Sequence, residues 1–182
     1  LARYIINDLK EFRKIQGDET LGGMIICETG EQARRLYDVF QEEWQKYQPK
    51  PIKIKLPNGS YVVGEPEVDY KSKYRPLKAG IILHDTDDKE TRKQIVNDFK
   101  KNLTVDILIV FNMLLTGFDA PRLKRLYFGR KLKDHNLLQA ITRVNRPYSG
   151  MRYGFVIDFA DIKRNFQETN EAYLQELNRF ND

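Results

Sequence analysis

The 182-residue sequence predicts one α/β domain, in which helices cover both faces of a mostly parallel β-sheet. Five short apolar segments have the length of strands, and their continuous apolar character is typical of strands buried on both faces. Segments with helical periodicity alternate with them, which favours parallel pairing. Hydrophobic residues make up 41% of the chain and charged residues 31%, as expected for a soluble globular protein.

The first part of the chain predicts two amphipathic helices on either side of a short strand. Residues 1–16 repeat apolar side chains at helical spacing, and Met24 to Cys27 has the character of a buried strand. The run Thr29-Gly-Glu-Gln32 is a capping box, which predicts that a second helix begins there. The apolar stripe of this second helix consists of Ala33, Leu36, Tyr37, Phe40 and Trp44.

A basic segment extends from about Lys46 to Lys78. It holds eight basic and three acidic residues, a surplus that accounts for the net charge of +5. Alternating residues on both sides of Asn58-Gly59 predict a β-hairpin within it. A local excess of positive charge suits an anionic partner, but a solvated insertion fits equally well.

The second part of the chain predicts four more strands and two more helices. The strands are 80–84, 106–111, 126–128 and 155–159, and the helices are 89–100 and 161–180. Parallel α/β sheets bind ligands beyond the carboxyl ends of their strands. A site is therefore expected in the loops that follow Cys27, His84, Phe111, Phe128 and Phe159.

The run from Gln139 to Pro147 is the most informative part of the sequence. It predicts a short helix, stopped by Pro147, with Gln139, Arg143 and Arg146 on one face. Leu137, Ile141 and Val144 fall on the opposite face and are expected to be buried. Two guanidinium groups one turn apart suit a polyphosphate, although a solvated basic face is the alternative.

The loop after residue 111 has the composition of a tight turn with polar groups. Thr116 offers a hydroxyl group, Gly117 permits exposed backbone amides, and Asp119 offers a carboxylate before Pro121. Loops of this composition are common, so the pattern is informative only together with the other motifs.

Several kinds of protein are excluded by composition. No apolar run has the length of a membrane span, and the N-terminus has no signal-peptide pattern. One cysteine and two histidines cannot supply a zinc site, and Cys27 is expected to be a reduced, buried residue of a cytoplasmic protein. A G-x-x-x-x-G-K-[ST] phosphate loop is absent from the sequence, which begins with Leu1 and is expected to be a piece of a longer protein.

Taken in order, three motifs resemble those of the second RecA-like domain of superfamily 2 helicases and DNA translocases. Residues 23–36 resemble motif IV, residues 115–121 motif V and residues 139–146 motif VI. The residues of these motifs are most similar to those of the R (motor/restriction) subunit of type I restriction enzymes. The runs Thr116-Gly-Phe-Asp-Ala-Pro121 and 134–146 resemble that family's own variants, with Thr142 where generic motif VI has glycine.

The resemblance implies a RecA-like domain that lacks its own phosphate loop. Residues 1–20 would be a leading helix from the preceding domain or linker, 21–162 the helicase C-terminal domain with the basic insert at about 46–78, and 163–182 a trailing helix toward the next domain. ATP and Mg²⁺ would be held mainly by the absent first RecA-like domain of the same chain. Double-stranded DNA and the methylation and specificity subunits of a restriction-modification complex would be the other partners, with no membrane involved.

The resemblance also implies roles for individual residues. Arg146 would be the arginine finger, Arg143 its partner, and Gln139 would place the water or the γ-phosphate. Gly117 and Asp119 would join the arginines in binding nucleotide, and no residue would bind a metal. Thr29 and Thr116 would contact the DNA backbone. The parent protein would be an ATP-dependent type I site-specific deoxyribonuclease and DNA translocase, and this part alone would be inactive.

Two alternatives remain open at this point. The same domain could come from another superfamily 2 helicase or translocase. The chain could also be a non-catalytic module that binds DNA or protein, in which the arginines have no catalytic role.

Overall fold

The computed structural model describes residues 1–47, 52–56, 60–64, 75–84, 88–113, 118–132 and 134–162, together with residues 167, 170, 171 and 175. The helices are α1 (Ala2–Gln16), α2 (Gly30–Tyr47), α3 (Lys89–Asn97), which continues as a π-helical turn (Asp98–Asn102), and α4 (Asp134–Thr142). The strands are β1 (Gly22–Ile26), β2 (Ile52–Lys55), β3 (Tyr61–Gly64), β4 (Ala79–Ile82), β5 (Ile107–Val110), β6 (Leu123–Phe128) and β7 (Phe155–Asp158).

Five of these strands form one parallel sheet in the order β4-β5-β1-β6-β7, which confirms the predicted fold class. The central strand β1 pairs with β5 and β6, so that Met24 lies between Leu108 and Leu126. All five residues of β1 are buried, because the sheet is covered on both sides. This double burial explains why the central strands are continuous apolar segments.

The helices divide between the two faces of the sheet. On one face, α1 and α2 pack in a core that contains Ile5, Leu9, Phe40 and Tyr127. On the other face, α4, the turn after it and the π-helical turn contribute Leu137, Val144 and Phe99 to a second core. Leu9 is 0% exposed, so α1 is packed as tightly as the strands it covers.

The predicted hairpin is present as a separate two-stranded sheet. β2 and β3 run antiparallel, with Lys53 opposite Val63 and Ile54 opposite Val62. The Asn58-Gly59 turn that predicted it lies outside the described residues.

A buried ionic network fixes the amino end of β5. The carboxylate of Asp106 is 2.9 Å from Arg13 Nη2 and 2.6 Å from Arg75 Nη2, and it accepts a 2.8 Å hydrogen bond from Lys78 N. Asp106 and Arg13 are both buried, whereas the Arg75 side chain is half exposed. The network ties α1 and the end of the basic segment to the sheet.

Two of the boundaries that differ from the prediction are the start of β6 and the end of α4. β6 begins at Leu123 rather than at residue 126, because Lys124 and Arg125 have buried or half-buried partners that the sequence does not display. α4 ends at Thr142 rather than at Arg146. Most of the predicted last helix, 161–180, lies outside the described residues, although the four described positions from 167 to 175 are helical. In the described part of the chain, no helix combines the length and the apolar character needed to cross a membrane.

Candidate functional site

The segment that carries Gln139 and the two arginines, α4 and the turn after it, is held by apolar side chains on its other face. Leu137, Ala140 and Val144 are each at most 1% exposed and pack against the sheet. After Thr142 the chain tightens, because the amides of Arg143, Val144 and Asn145 donate to carbonyl groups three residues earlier at 3.1–3.3 Å. This tighter turn delivers Arg146 to the site in place of the continuous α-helix that the sequence predicted.

Arg146 forms an ion pair with Asp119. Its Nη1 lies 3.1 Å from Asp119 Oδ1, and the two side chains are 41% and 53% exposed. An ion pair this open to water is weak, so either group can exchange its partner for a ligand. The structure therefore brings together two residues that the sequence analysis placed in one nucleotide site.

Arg143 connects the same helix to the loop before Asp119. Its Nη1 donates a 2.8 Å hydrogen bond to the carbonyl oxygen of the buried residue Phe118. Burial lowers the pKa of Arg143, the neighbouring charge of Arg146 lowers this pKa further, and Asp119 opposes both effects. Gln139 lies half-buried one turn earlier on α4. We refer to Asp119, Gln139, Arg143 and Arg146 as the arginine cluster.

The arginine cluster lies near the amino end of β6 and not at the carboxyl ends of the strands, where ligands of such sheets usually bind. Lys124, near the amino end of β6, donates a hydrogen bond to the carbonyl oxygen of Arg146. Because β5 and β6 are parallel, the connection between them must return to the amino end of the sheet, and Asp119 lies near the end of that connection. The loop after Phe111, one of those expected to carry a site, thus contributes Asp119 to the cluster, whereas the arginines lie near the amino end of β6.

Thr29 does lie at the carboxyl edge, directly after β1. Its Oγ1 accepts a 3.0 Å hydrogen bond from Gln32 N, which caps α2, and Gln32 Oε1 accepts one of 2.7 Å from Glu28 N. The first bond of the predicted capping box is therefore formed, whereas the Gln32 side chain bonds to Glu28 N instead of Thr29 N. Capping uses an acceptor site of the exposed Thr29 hydroxyl and leaves its proton available for donation. Thr116 and Gly117 lie outside the described residues.

The arginine cluster has the chemistry of a phosphate site and not of a metal site. Guanidinium groups supply several donors to anionic oxygens, and Arg146 Nε is buried without a hydrogen-bond acceptor among the described residues. In the described ranges, no group of three His, Cys, Asp or Glu residues could hold a metal ion. The residues present thus fit the phosphates of a nucleotide, whereas a magnesium ion would need ligands from elsewhere.

Sequence reasoning missed Lys124 as a member of this region. It is 0% exposed and contacts the backbone of Arg146, yet in sequence it lies between two arginines, Arg122 and Arg125, which suggests an exposed segment. The only available signal was Leu123, an apolar residue shortly before the run that begins at Leu126, which could have extended the predicted strand to include Lys124.

Comparison with known proteins gives a consistent set of relatives. Residues 19–161 match the sequence model of the family described as type I restriction enzyme subunit R domain 3. A Methanocaldococcus jannaschii protein named as a type I restriction enzyme endonuclease subunit, MjaVIIIP, is 31% identical over 180 residues, 95% of this chain and 16% of that protein. A second one from the same organism, MjaVIIP, is 44% identical over 84 residues, 46% of this chain and 8% of the relative. The chain thus spans a small part of the length of these relatives.

Solved structures share the fold at low sequence identity. Domain 2 of the DEAD-box helicase Mss116p, bound to an RNA duplex, has a TM-score of 0.57 at 18% identity over 94% of this chain and 56% of that one. The C-terminal domain of the DEAD-box protein Dbp5 has a TM-score of 0.52 at 18% identity and covers 93% of this chain and 77% of its own. A DEAD box protein from Methanococcus jannaschii has a TM-score of 0.53 at 14% identity, and the match covers 90% of this chain and 36% of that protein. The sheet therefore has the fold of a helicase RecA-like domain.

Proposed function

Since the chain belongs to the type I restriction enzyme R subunit family, as its domain 3, we propose that it is the second RecA-like motor domain of an ATP-dependent DNA translocase. In this proposal the motor unit comprises about residues 21–162, with the leading helix before it and the trailing helix after it. The observation that carries the proposal is the arginine cluster, in which Asp119 lies 3.1 Å from Arg146 and Arg143 bonds to Phe118.

The two arginines have different roles in this proposal. Arg146 is the arginine finger, because it is half exposed and its ion pair with Asp119 is weak enough to be exchanged for a phosphate. Its guanidinium group stabilises the negative charge that develops on the transferred phosphoryl oxygens. Arg143 is bonded to the carbonyl oxygen of Phe118, so it holds this segment against the loop before Asp119 and adds positive charge beside the finger.

Gln139 and Asp119 complete the site. Gln139, one turn before Arg143, orients the attacking water or the γ-phosphate. Asp119 keeps Arg146 in place until nucleotide arrives, and Gly117 belongs to the same nucleotide-binding loop. ATP and Mg²⁺, held mainly by the first RecA-like domain, supply the phosphoryl group and the charge neutralisation of the reaction. No phosphate loop occurs in this sequence, so the chain alone is expected not to hydrolyse ATP.

DNA contact is assigned to the carboxyl edge. Thr29 donates its hydroxyl proton to a backbone phosphate while its oxygen caps α2, and Thr116 does the same from the loop after β5. Such contacts follow a double-stranded DNA without reading its sequence. The methylation and specificity subunits would then supply recognition, in a cytoplasmic restriction-modification complex that acts as a type I deoxyribonuclease.

The test is the DNA-stimulated ATPase activity of the full-length parent protein with Arg146→Ala. An arginine finger contributes about 10³–10⁵-fold to turnover, so we expect kcat to fall at least about 100-fold while ATP affinity changes little. Arg152→Ala is the matched control, because Arg152 is an exposed arginine only six residues away and is outside the cluster.

Unchanged turnover of Arg146→Ala would remove the finger assignment and favour the non-catalytic binding module. Equal losses in both variants would indicate a general effect of positive charge on DNA or nucleotide binding. A loss confined to Arg146 supports the motor domain.

A further inference from the structure

Lys124 occupies an irregular position in an otherwise regular parallel sheet. In the pairing of β1 with β6, Gly22 lies opposite Leu123 and Gly23 lies opposite Arg125, so Lys124 is an extra residue without a partner in β1. Such a β-bulge redirects a side chain and is frequent beside functional sites.

The redirected side chain of Lys124 is buried against the turn that follows α4. Lys124 is 0% exposed, and its ammonium group donates to the carbonyl oxygen of Arg146. No carboxylate pairs with Lys124 in the described part of the chain. Burial of a lysine without an acid is costly, and burial lowers the pKa of Lys124 accordingly. A purely structural sheet position would be satisfied by an apolar residue at lower cost.

Gly154 holds the neighbouring chain close to this bulge. A Cβ atom there would lie 2.6 Å from the carbonyl oxygen of Lys124 and 2.8 Å from Cβ of Val144. The bulge, the chain that leads into β7 and the turn before Arg146 are thus in direct contact. Their close approach leaves the backbone of Arg146 little room to shift relative to β6.

We propose that Lys124 is a positioning residue for Arg146, which fixes the backbone of the arginine finger to the sheet through the bulge in β6. The inference rests on the proposed function, because it matters only if Arg146 acts on a phosphate. Lys124 touches no reacting atom. Its effect is to hold the finger at a fixed depth, so that closure of the two motor domains places the guanidinium group reproducibly.

The experiment is a double-mutant cycle in the full-length parent protein, with DNA-stimulated ATPase activity as the readout. The variants are Lys124→Met, which keeps the length of the side chain and removes its donor, Arg146→Ala, and the two combined. We expect Lys124→Met to lower kcat about 10-fold or more with a smaller change in KM, since misplacement of a catalytic group by about 1 Å can cost 100-fold. Combined with Arg146→Ala, the same change should have no further effect, because Lys124 acts on turnover only through the position of the guanidinium group that Arg146→Ala removes.

Ile107→Val is the control for a general loss of packing. Ile107 is 0% exposed in the core on the opposite face of the sheet, and this variant should leave kcat unchanged. If Lys124→Met does not yield folded protein, Lys124→Leu, which also removes the donor, takes its place in the cycle.

The outcomes separate this inference from the function on which it rests. Independent, multiplicative losses from Lys124 and Arg146, or a silent Lys124 variant in folded protein, would overturn the positioning role while a collapse of Arg146→Ala still supports the motor. An active Arg146→Ala variant would overturn both the positioning role of Lys124 and the proposed role of Arg146 as an arginine finger. A loss from Lys124→Met that disappears in the Arg146→Ala background supports both.

Discussion

Two Asp–Arg pairs in this molecule have nearly equal lengths and very different surroundings, which makes the energetic effect of burial measurable. Asp106 lies 2.9 Å from Arg13, with both side chains at most 4% exposed, whereas Asp119 lies 3.1 Å from Arg146 and both are at least 41% exposed. We therefore compare Asp106→Asn with Asp119→Asn. The same chemical change removes one negative charge in each case.

The expected magnitudes follow from burial. Removing one member of a buried ion pair costs about 3–5 kcal/mol, because the remaining charge, here that of Arg13, stays buried without compensation. The exposed pair at Asp119 contributes about 0–1 kcal/mol. The entropy of unfolding for 182 residues is about 0.4 kcal/mol per kelvin. Tm should therefore fall by about 8–13 °C for Asp106→Asn and by at most about 3 °C for Asp119→Asn.

The assay is thermal unfolding of the 182-residue chain, followed by circular dichroism at low and at high salt. High salt should reduce the small effect of Asp119→Asn and leave the large effect of Asp106→Asn nearly unchanged, since buried charges are poorly screened. Equal shifts of Tm in the two variants would refute the argument from burial. A stable Asp106→Asn variant would mean that the remaining partners of Arg13 suffice, the nearest being the carbonyl oxygen of Leu21 at 2.7 Å.

Two further predictions concern the chain itself. Burial raises the pKa of the Cys27 thiol from 9.0 to about 12, against the opposing charge of Arg130, so folded protein keeps the proton that unfolded protein loses above pH 9. The contribution of this thiol to the free energy of unfolding is thus fully present below pH 9 and is lost between pH 9 and about pH 12, by about 1.4 kcal/mol per pH unit. Measured by urea unfolding, the stability of the unmodified protein relative to Cys27→Ala should fall by about 2 kcal/mol between pH 9 and 10.5. A difference between the two proteins that does not change with pH would contradict the raised pKa. Leu9→Ala in α1 should cost about 2–5 kcal/mol in the same assay, whereas Ile15→Ala, 71% exposed in the same helix, should stay within about 0.5 kcal/mol; a silent Leu9 variant would mean that α1 is not part of the cooperative unit.

The strands and helices that could be predicted are those whose burial follows a simple period. β1 and β5 are continuous apolar runs, and the stripe of α2 returns every three or four residues, so local sequence was sufficient for each. The hairpin followed from Asn58-Gly59 in the same way. The apolar face opposite the arginines was also predictable, since Leu137 and Val144 are buried as their spacing indicated, although Ile141 is only partly buried against the same core.

The features that could not be predicted depend on partners distant in sequence. Lys124 is buried because a carbonyl group 22 residues away accepts its hydrogen bond, and a charged residue in an apolar run otherwise indicates a loop. The pairing of Asp119 with Arg146 depends on the path of the connection from β5 to β6, which periodicity does not specify. The spacing of the arginines and the order of the motifs suggested a nucleotide site, whereas the position of the arginine cluster near the amino end of β6 required the structure.

The position of the two candidate contacts limits how nucleotide and DNA can be coupled. Thr29 follows the carboxyl end of β1, whereas the arginine cluster lies near the amino end of β6, roughly 13 Å away along a strand of this length. Arg146 is bonded to β6 through Lys124, and Arg143 is bonded to residue 118, so the arginines cannot move independently of the sheet without loss of these bonds. A change at the phosphates would therefore displace the whole sheet, with Thr29 at its far edge, and the coupling we propose is a rigid-body movement of this domain rather than a local rearrangement of its arginines.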